Sequence, residues 1–112
     1  MIEDAFEKLK AFVIRHRGKY RFPLERTTTI MTNLGIDGDD AYDFIVAYGE
    51  KFQVDITNFM LSNYFNSEGF GFFTAVTDPR PKKKLTLGDL EKGILAGKLN
   101  EEIIIGIAKG QQ

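Results

Sequence analysis

The stretch Leu34-Gly35-Ile36-Asp37-Gly38-Asp39-Asp40 decides how this chain is read. Asp37 is a residue type that caps helix N-termini, and Asp40 stands three residues on, where the acid of a capping box sits. Beyond them Ala41, Phe44, Ile45, Tyr48 and Phe52 recur at helical spacing and make one face apolar. The acids of the first turn suit the positive end of the helix dipole. Gly49 falls inside this predicted helix, where glycine costs about 1 kcal/mol relative to alanine; close packing is the one reason the sequence offers for it.

On the N-terminal side, Ile2, Ala5, Phe6, Leu9, Phe12 and Val13 predict another helix. Glu3 and Asp4 fall in its first turn and Arg15, His16 and Arg17 in its last, with Gly18 as the stop. Lys19 to Asn33 carries Pro23 and Thr27-Thr28-Thr29, which predict an extended or turning connection. On the C-terminal side, Val54-Asp55-Ile56 reads as a short extended exit. Thr57 to Phe65 reads as a short helix capped by Thr57 or Asn58, with Phe59, Tyr64 and Phe65 inward. Thr86-Leu87-Gly88-Asp89 is a capping-box pattern flanked by Leu85 and Leu90 at the spacing of a hydrophobic staple. Leu87, Leu90, Ile94 and Leu95 then form the expected core face, and Gly97 ends the helix.

Two stretches stand apart. Residues 69–84 form a long insertion before the last helix, in which Phe70-Gly71-Phe72-Phe73-Thr74-Ala75-Val76 has strand-like composition. Asp78-Pro79-Arg80-Pro81 is a turn and Lys82-Lys83-Lys84 a basic run. In the tail, about 100–112, the isoleucines of Ile103-Ile104-Ile105-Gly106-Ile107 favour a strand. The two stretches are expected to pair into a small β element.

From the first helix to about Leu99 the chain resembles acyl carrier protein. The resemblance rests on Leu34-Gly35-Ile36-Asp37, the stripe ending at Glu50-Lys51-Phe52, the Val54-Asp55-Ile56 exit and Leu85-Thr86-Leu87-Gly88-Asp89-Leu90. It is more similar still to a bacterial family of uncharacterised small proteins with an acyl-carrier-like fold, which share a Leu-Gly-Ile-Asp-Gly-Asp-Asp segment, a pair like Tyr64-Phe65 and a Leu-Thr-x-x-Asp-Leu helix start. The resemblance implies a mainly α, acyl-carrier-protein-like bundle of three to four helices, with the insertion before the last, in one domain over 1–112. It also implies a difference in chemistry. In carriers a serine after the aspartate bears the phosphopantetheine arm; here that position is Gly38, which has no hydroxyl. Ser62 and Ser67 lie far downstream and follow no such aspartate.

The bulk properties bound the function. At 112 residues and 43% hydrophobic, with ten Phe, the chain can build a core. A net charge of −1 gives no global basic field for nucleic acid. Without cysteine there is no disulfide frame, thiolate metal site or Cys nucleophile. The acidic N-terminus lacks the order of a signal peptide, and no apolar run approaches the ~20 residues of a membrane span. A cytoplasmic location is therefore expected.

His16 is the one histidine, so no His/Cys zinc site can form, and no nucleophile elbow or phosphate loop is present. No catalytic residue, cofactor or metal is expected. Asp37, Asp39, Asp40 and Asp43 cluster at a helix start; they read as cap and dipole partners or, with Glu50, as a docking surface for a basic protein partner, as the acidic second helix of carriers is. A calcium loop does not fit, because its twelfth position from Asp37 is Tyr48. Arg15 to Phe22 mixes cations and aromatics, which with Lys82 to Lys84 supports nucleic-acid binding as an alternative. Phe70, Phe72 and Phe73 read as a cover for the core or as a contact patch. A carrier modified at an unusual site is the remaining alternative. The leading expectation is a non-enzymatic, carrier-like interaction module.

Overall fold

The computed structural model describes residues 4–65 and 83–105. The first apolar stripe folds as α1 (Ala5–Arg17), which buries Ala5, Phe6, Leu9, Phe12 and Val13. Its charges lie as the dipole favours, with Glu7 in the first turn and Arg15, His16 and Arg17 in the last. The connection to the next helix runs through turns and extended backbone. Thr29 forms an antiparallel bridge with Thr86, and Ile30 N–H donates to the Leu85 carbonyl at 2.8 Å. Thr28, a buried polar residue, is satisfied because its hydroxyl accepts from Glu25 N–H at 2.8 Å.

The second stripe folds as α2 (Gly38–Phe52), burying Ala41, Phe44, Ile45, Tyr48 and Gly49. Phe44 packs 5.4 Å from the Phe12 ring centroid, which couples α2 to α1. The expected cap is not made as predicted. Asp37 occupies the N-cap position in extended backbone, yet its side chain makes no cap hydrogen bond. Asp40 reaches instead to Arg17, 3.4 Å away. After α2, Asp55 forms a parallel bridge with Lys98, so the exit is extended as expected.

The short helix expected over residues 57–65 is reduced to a 3-10 turn at Leu61–Asn63. Thr57 does not cap a helix; its N–H donates to Asp55 Oδ1 at 2.9 Å. The inward residues explain the difference, since Phe59, Tyr64 and Phe65 are all buried and their spacing fits no single helical stripe. Tight turns bring them in together, with the Phe59 and Tyr64 rings stacked at 5.2 Å.

The predicted capping box opens α3 (Leu87–Ala96). Asp89 N–H donates to Thr86 Oγ1 at 3.1 Å, and Thr86 N–H to Asp89 Oδ2 at 3.0 Å. Leu85, Leu87 and Leu90 are buried and Ile94 packs at the edge of the core. Leu95 does not join them; it is 51% exposed. One step of about 100° from Ile94 carries it off the stripe, and Gly93 takes the buried place. Backbone bridges hold α3 at both ends, Thr29–Thr86 before it and Asp55–Lys98 after it.

The isoleucine tail is not a strand as far as Ile105. Glu101–Ile105 forms a short helix, α4. Asn100 Oδ1 accepts from Ile103 N–H at 3.0 Å, and Glu101 and Glu102 occupy the first turn. This cap, together with packing of Ile104 on the core, outweighs the β preference of the isoleucines. Residues 69–82 of the insertion, with its Phe70–Val76 segment, lie outside the described residues, as does the tail from Gly106. Among the described residues, four α-helices and one 3-10 turn make a mainly helical bundle, and no helix is long and apolar enough to cross a membrane.

Candidate docking site on the second helix

Because Phe44, Ile45 and Tyr48 must face the core, the polar positions of α2 are turned outward. Asp39, Asp40, Asp43 and Glu50 are exposed, while Asp37 is half-buried. Asp43 and Glu50 follow Asp39 by four and eleven residues, which at 100° per residue puts all three within about 40° of azimuth. They form one acidic row about 16 Å long on the outer face. Among the described residues no ion pair neutralises Asp39, Asp43 or Glu50. Asp40 lies off this row, and Arg17 offsets part of its charge. The structure thus divides the predicted acids: three form an open row, one is tied to α1 and one sits at the helix cap.

Gly38 opens α2 with φ at 60°. That is the left-handed region, which costs an L-residue roughly 1–2 kcal/mol. A serine at this position is therefore disfavoured by the backbone itself.

The basic segment is less open than its sequence suggests. Arg17 pairs with Asp40, and the Tyr20 hydroxyl donates to the Leu34 carbonyl at 3.0 Å. His16 stacks on Phe12 at 5.6 Å and meets Phe44 edge-on at 5.6 Å. Lys83 is engaged by Glu101 at 3.2 Å. Ser62 falls in the Leu61–Asn63 turn, and Ser67 lies outside the described residues. Among the described residues no group of three or more His, Cys, Asp or Glu side chains is placed to hold a metal ion.

Sequence reasoning missed a polar cluster at Glu101. Its carboxylate accepts from the Tyr64 hydroxyl at 2.7 Å, from Lys83 Nζ at 3.2 Å and from Asn63 Nδ2 at 3.5 Å. The signal was present in Asn100-Glu101-Glu102, a cap residue followed by first-turn acids. Burial works to raise the Glu101 carboxyl, but the hydrogen bonds from Tyr64, Lys83 and Asn63 outweigh it and hold it below its ordinary value of 4.5. Burial and the Glu101 bond together push the Tyr64 phenol upward. A carboxyl lowered by folding stabilises above its unfolded value and loses that contribution as pH falls through the folded value. The α4 contact is therefore expected to hold at neutral pH and to loosen only below about pH 4.5. Amide resonances of residues 101–105, followed on acidification, should move in that range, and Glu101→Gln should flatten the response. Movement centred above that range would contradict the assignment.

The model of a protein family of unknown function, DUF1493, matches residues 3–100. The chain belongs to this family. No curated protein and no solved structure matches it. The DUF1493 match spans the acidic row of α2, the turn at Leu61–Asn63 and the capping box of α3, and it ends at Asn100, where α4 is about to begin.

Proposed function

We propose that this chain is a non-enzymatic protein-interaction module with a carrier-like plan and no attached arm, and that the outer row of α2 docks a basic surface of a protein partner. The observation that carries this reading is the open acidic row Asp39, Asp43 and Glu50, exposed and free of internal ion pairs among the described residues. An uncompensated row of one sign steers and orients a complementary surface more than it adds raw affinity. The left-handed backbone of Gly38 supports the armless part, since the carrier's hydroxyl-bearing residue would be strained there.

The test is affinity capture from the native host, with intact mass recorded. The expected result is salt-sensitive capture of a basic protein by a chain of unmodified mass. Asp39→Lys, Asp43→Lys and Glu50→Lys combined should weaken capture roughly tenfold or more, with melting temperature little changed. Asp40→Asn, which touches the Arg17 pair, should matter much less. Capture that survives the triple reversal places docking elsewhere, and a mass increase matching a phosphopantetheine arm defeats the armless reading.

A further inference from the structure

Away from the acidic row, α1 takes part in a second surface feature. After Gly18 the chain turns back, and the segment 19–24 lies beside the Glu7–Ile14 part of α1. Between them opens a groove of about 480 Å³, a size typical of small-molecule sites. The apolar part of its α1 wall is Ala11, exposed, and Ile14, 39% exposed and one turn further along the helix, with Glu7 and Lys10 at the rim. The facing wall is an aromatic pair, Tyr20 and Phe22, with ring centroids 5.4 Å apart and planes tilted by 41°. The Tyr20 hydroxyl bond to the Leu34 carbonyl fixes this wall in place, while Phe22 is left 41% exposed.

The rim sets the sign of the ligand. Lys10 is held by Glu7 at 3.1 Å and sits 5.4 Å over the Phe6 ring, so those two charges largely cancel. Lys19 lines the same groove and has no ion pair among the described residues. An apolar groove with a fixed, tilted aromatic wall suits a flat ring, which packs edge to face on such a pair. One uncompensated ammonium at its edge suits a carboxylate. We infer that this groove binds a small aromatic carboxylate, its ring between Ile14 and the Tyr20–Phe22 pair and its carboxylate at Lys19. The site shares no residue with the proposed docking row, so the two readings stand or fall separately.

The test is an amide-resonance titration of the full chain with three probes sharing one ring: indole-3-acetate, the neutral alcohol tryptophol, and the amine tryptamine. Indole-3-acetate is expected to give saturable shifts in the millimolar range at Ala11, Ile14 and residues 19–24. Tryptophol should bind more weakly and tryptamine weakest of all. Lys19→Gln should cut the carboxylate's affinity by about two- to fivefold, the worth of an exposed ion pair, and leave tryptophol unchanged. Ala11→Trp, on an exposed helix position, should fill the groove and abolish all saturable shifts. Three results would overturn the inference: no saturable shift with indole-3-acetate, tryptamine binding as tightly as the acid, or indifference of the acid to Lys19→Gln.

Discussion

Replacing Gly93 with alanine is expected to destabilise the protein by about 3 kcal/mol, the sum of a clash, a lost buried hydrogen bond and a partly offsetting gain in helix propensity. Gly93 lies inside α3, where glycine is intrinsically unfavourable. Its neighbours explain its presence. A Cβ at this position would collide with the Tyr48 hydroxyl and come within 3.1 Å of Leu99 Cδ1. That hydroxyl is fully buried and donates to the Leu90 carbonyl at 2.7 Å. Burial pushes the phenol well above its ordinary range, so it stays a donor at every ordinary pH. Tyr48→Phe alone should cost about 1 kcal/mol, the net worth of one hydrogen bond. With the oxygen gone, adding Gly93→Ala should cost far less than it does in the parent. Denaturant midpoints at constant slope measure all four species. A coupling of about 2 kcal/mol is expected; additive penalties would mean that the hydroxyl is not what excludes a side chain.

The second large effect is expected at Phe44. Phe44→Ala should cost about 3–5 kcal/mol, as truncation of a fully buried aromatic does. The ring is completely buried, 5.4 Å from Phe12 and 5.6 Å from His16, so it joins α2 to two turns of α1. In a domain of this size each kcal/mol moves the melting temperature by roughly 4–8 °C, so a drop of more than ten degrees is expected by calorimetry. Phe52→Ala, at a half-buried ring on the same stripe, should cost clearly less. Equal effects would show that the α1–α2 seam is centred one turn further along than the burial indicates.

Much of the fold was legible because it rests on period and punctuation. The apolar stripes of α1 and α2 and the capping box of α3 fold as read, while the cap expected from Asp37 and Asp40 at α2 is not made. Gly49, unexplained by sequence beyond close packing, proves to sit where a Cβ would lie 3.1 Å from the Val54 carbonyl. The misreadings fall where tertiary demands override local preference. Phe59, Tyr64 and Phe65 are inward as expected, but reaching the core together costs the short helix. Leu95 is apolar yet one step off the stripe. The isoleucines of 103–105 favour a strand by propensity but obey the Asn100 cap. In the proposed docking row, sequence located the acids but not their division, because the Arg17–Asp40 pair joins residues 23 positions apart. The groove beside α1 was hidden for a similar reason: the aromatics of Tyr20 and Phe22 were visible, but which faces they leave open depends on how the chain turns back.

The left-handed backbone at Gly38 also bears on the paths by which such a chain can change. A serine there supplies a hydroxyl in one substitution, but in the present backbone it costs roughly 1–2 kcal/mol. For a marginally stable domain that shifts the folded-to-unfolded ratio by a factor of about 5–30. The hydroxyl is tolerated cheaply only if the turn before α2 is rebuilt first, and rebuilding the turn confers nothing while glycine remains. Two changes are needed, and neither is favoured alone. Position 38 is thus a constraint on sequence change: while the backbone there stays left-handed, any side chain is acquired at a cost in stability.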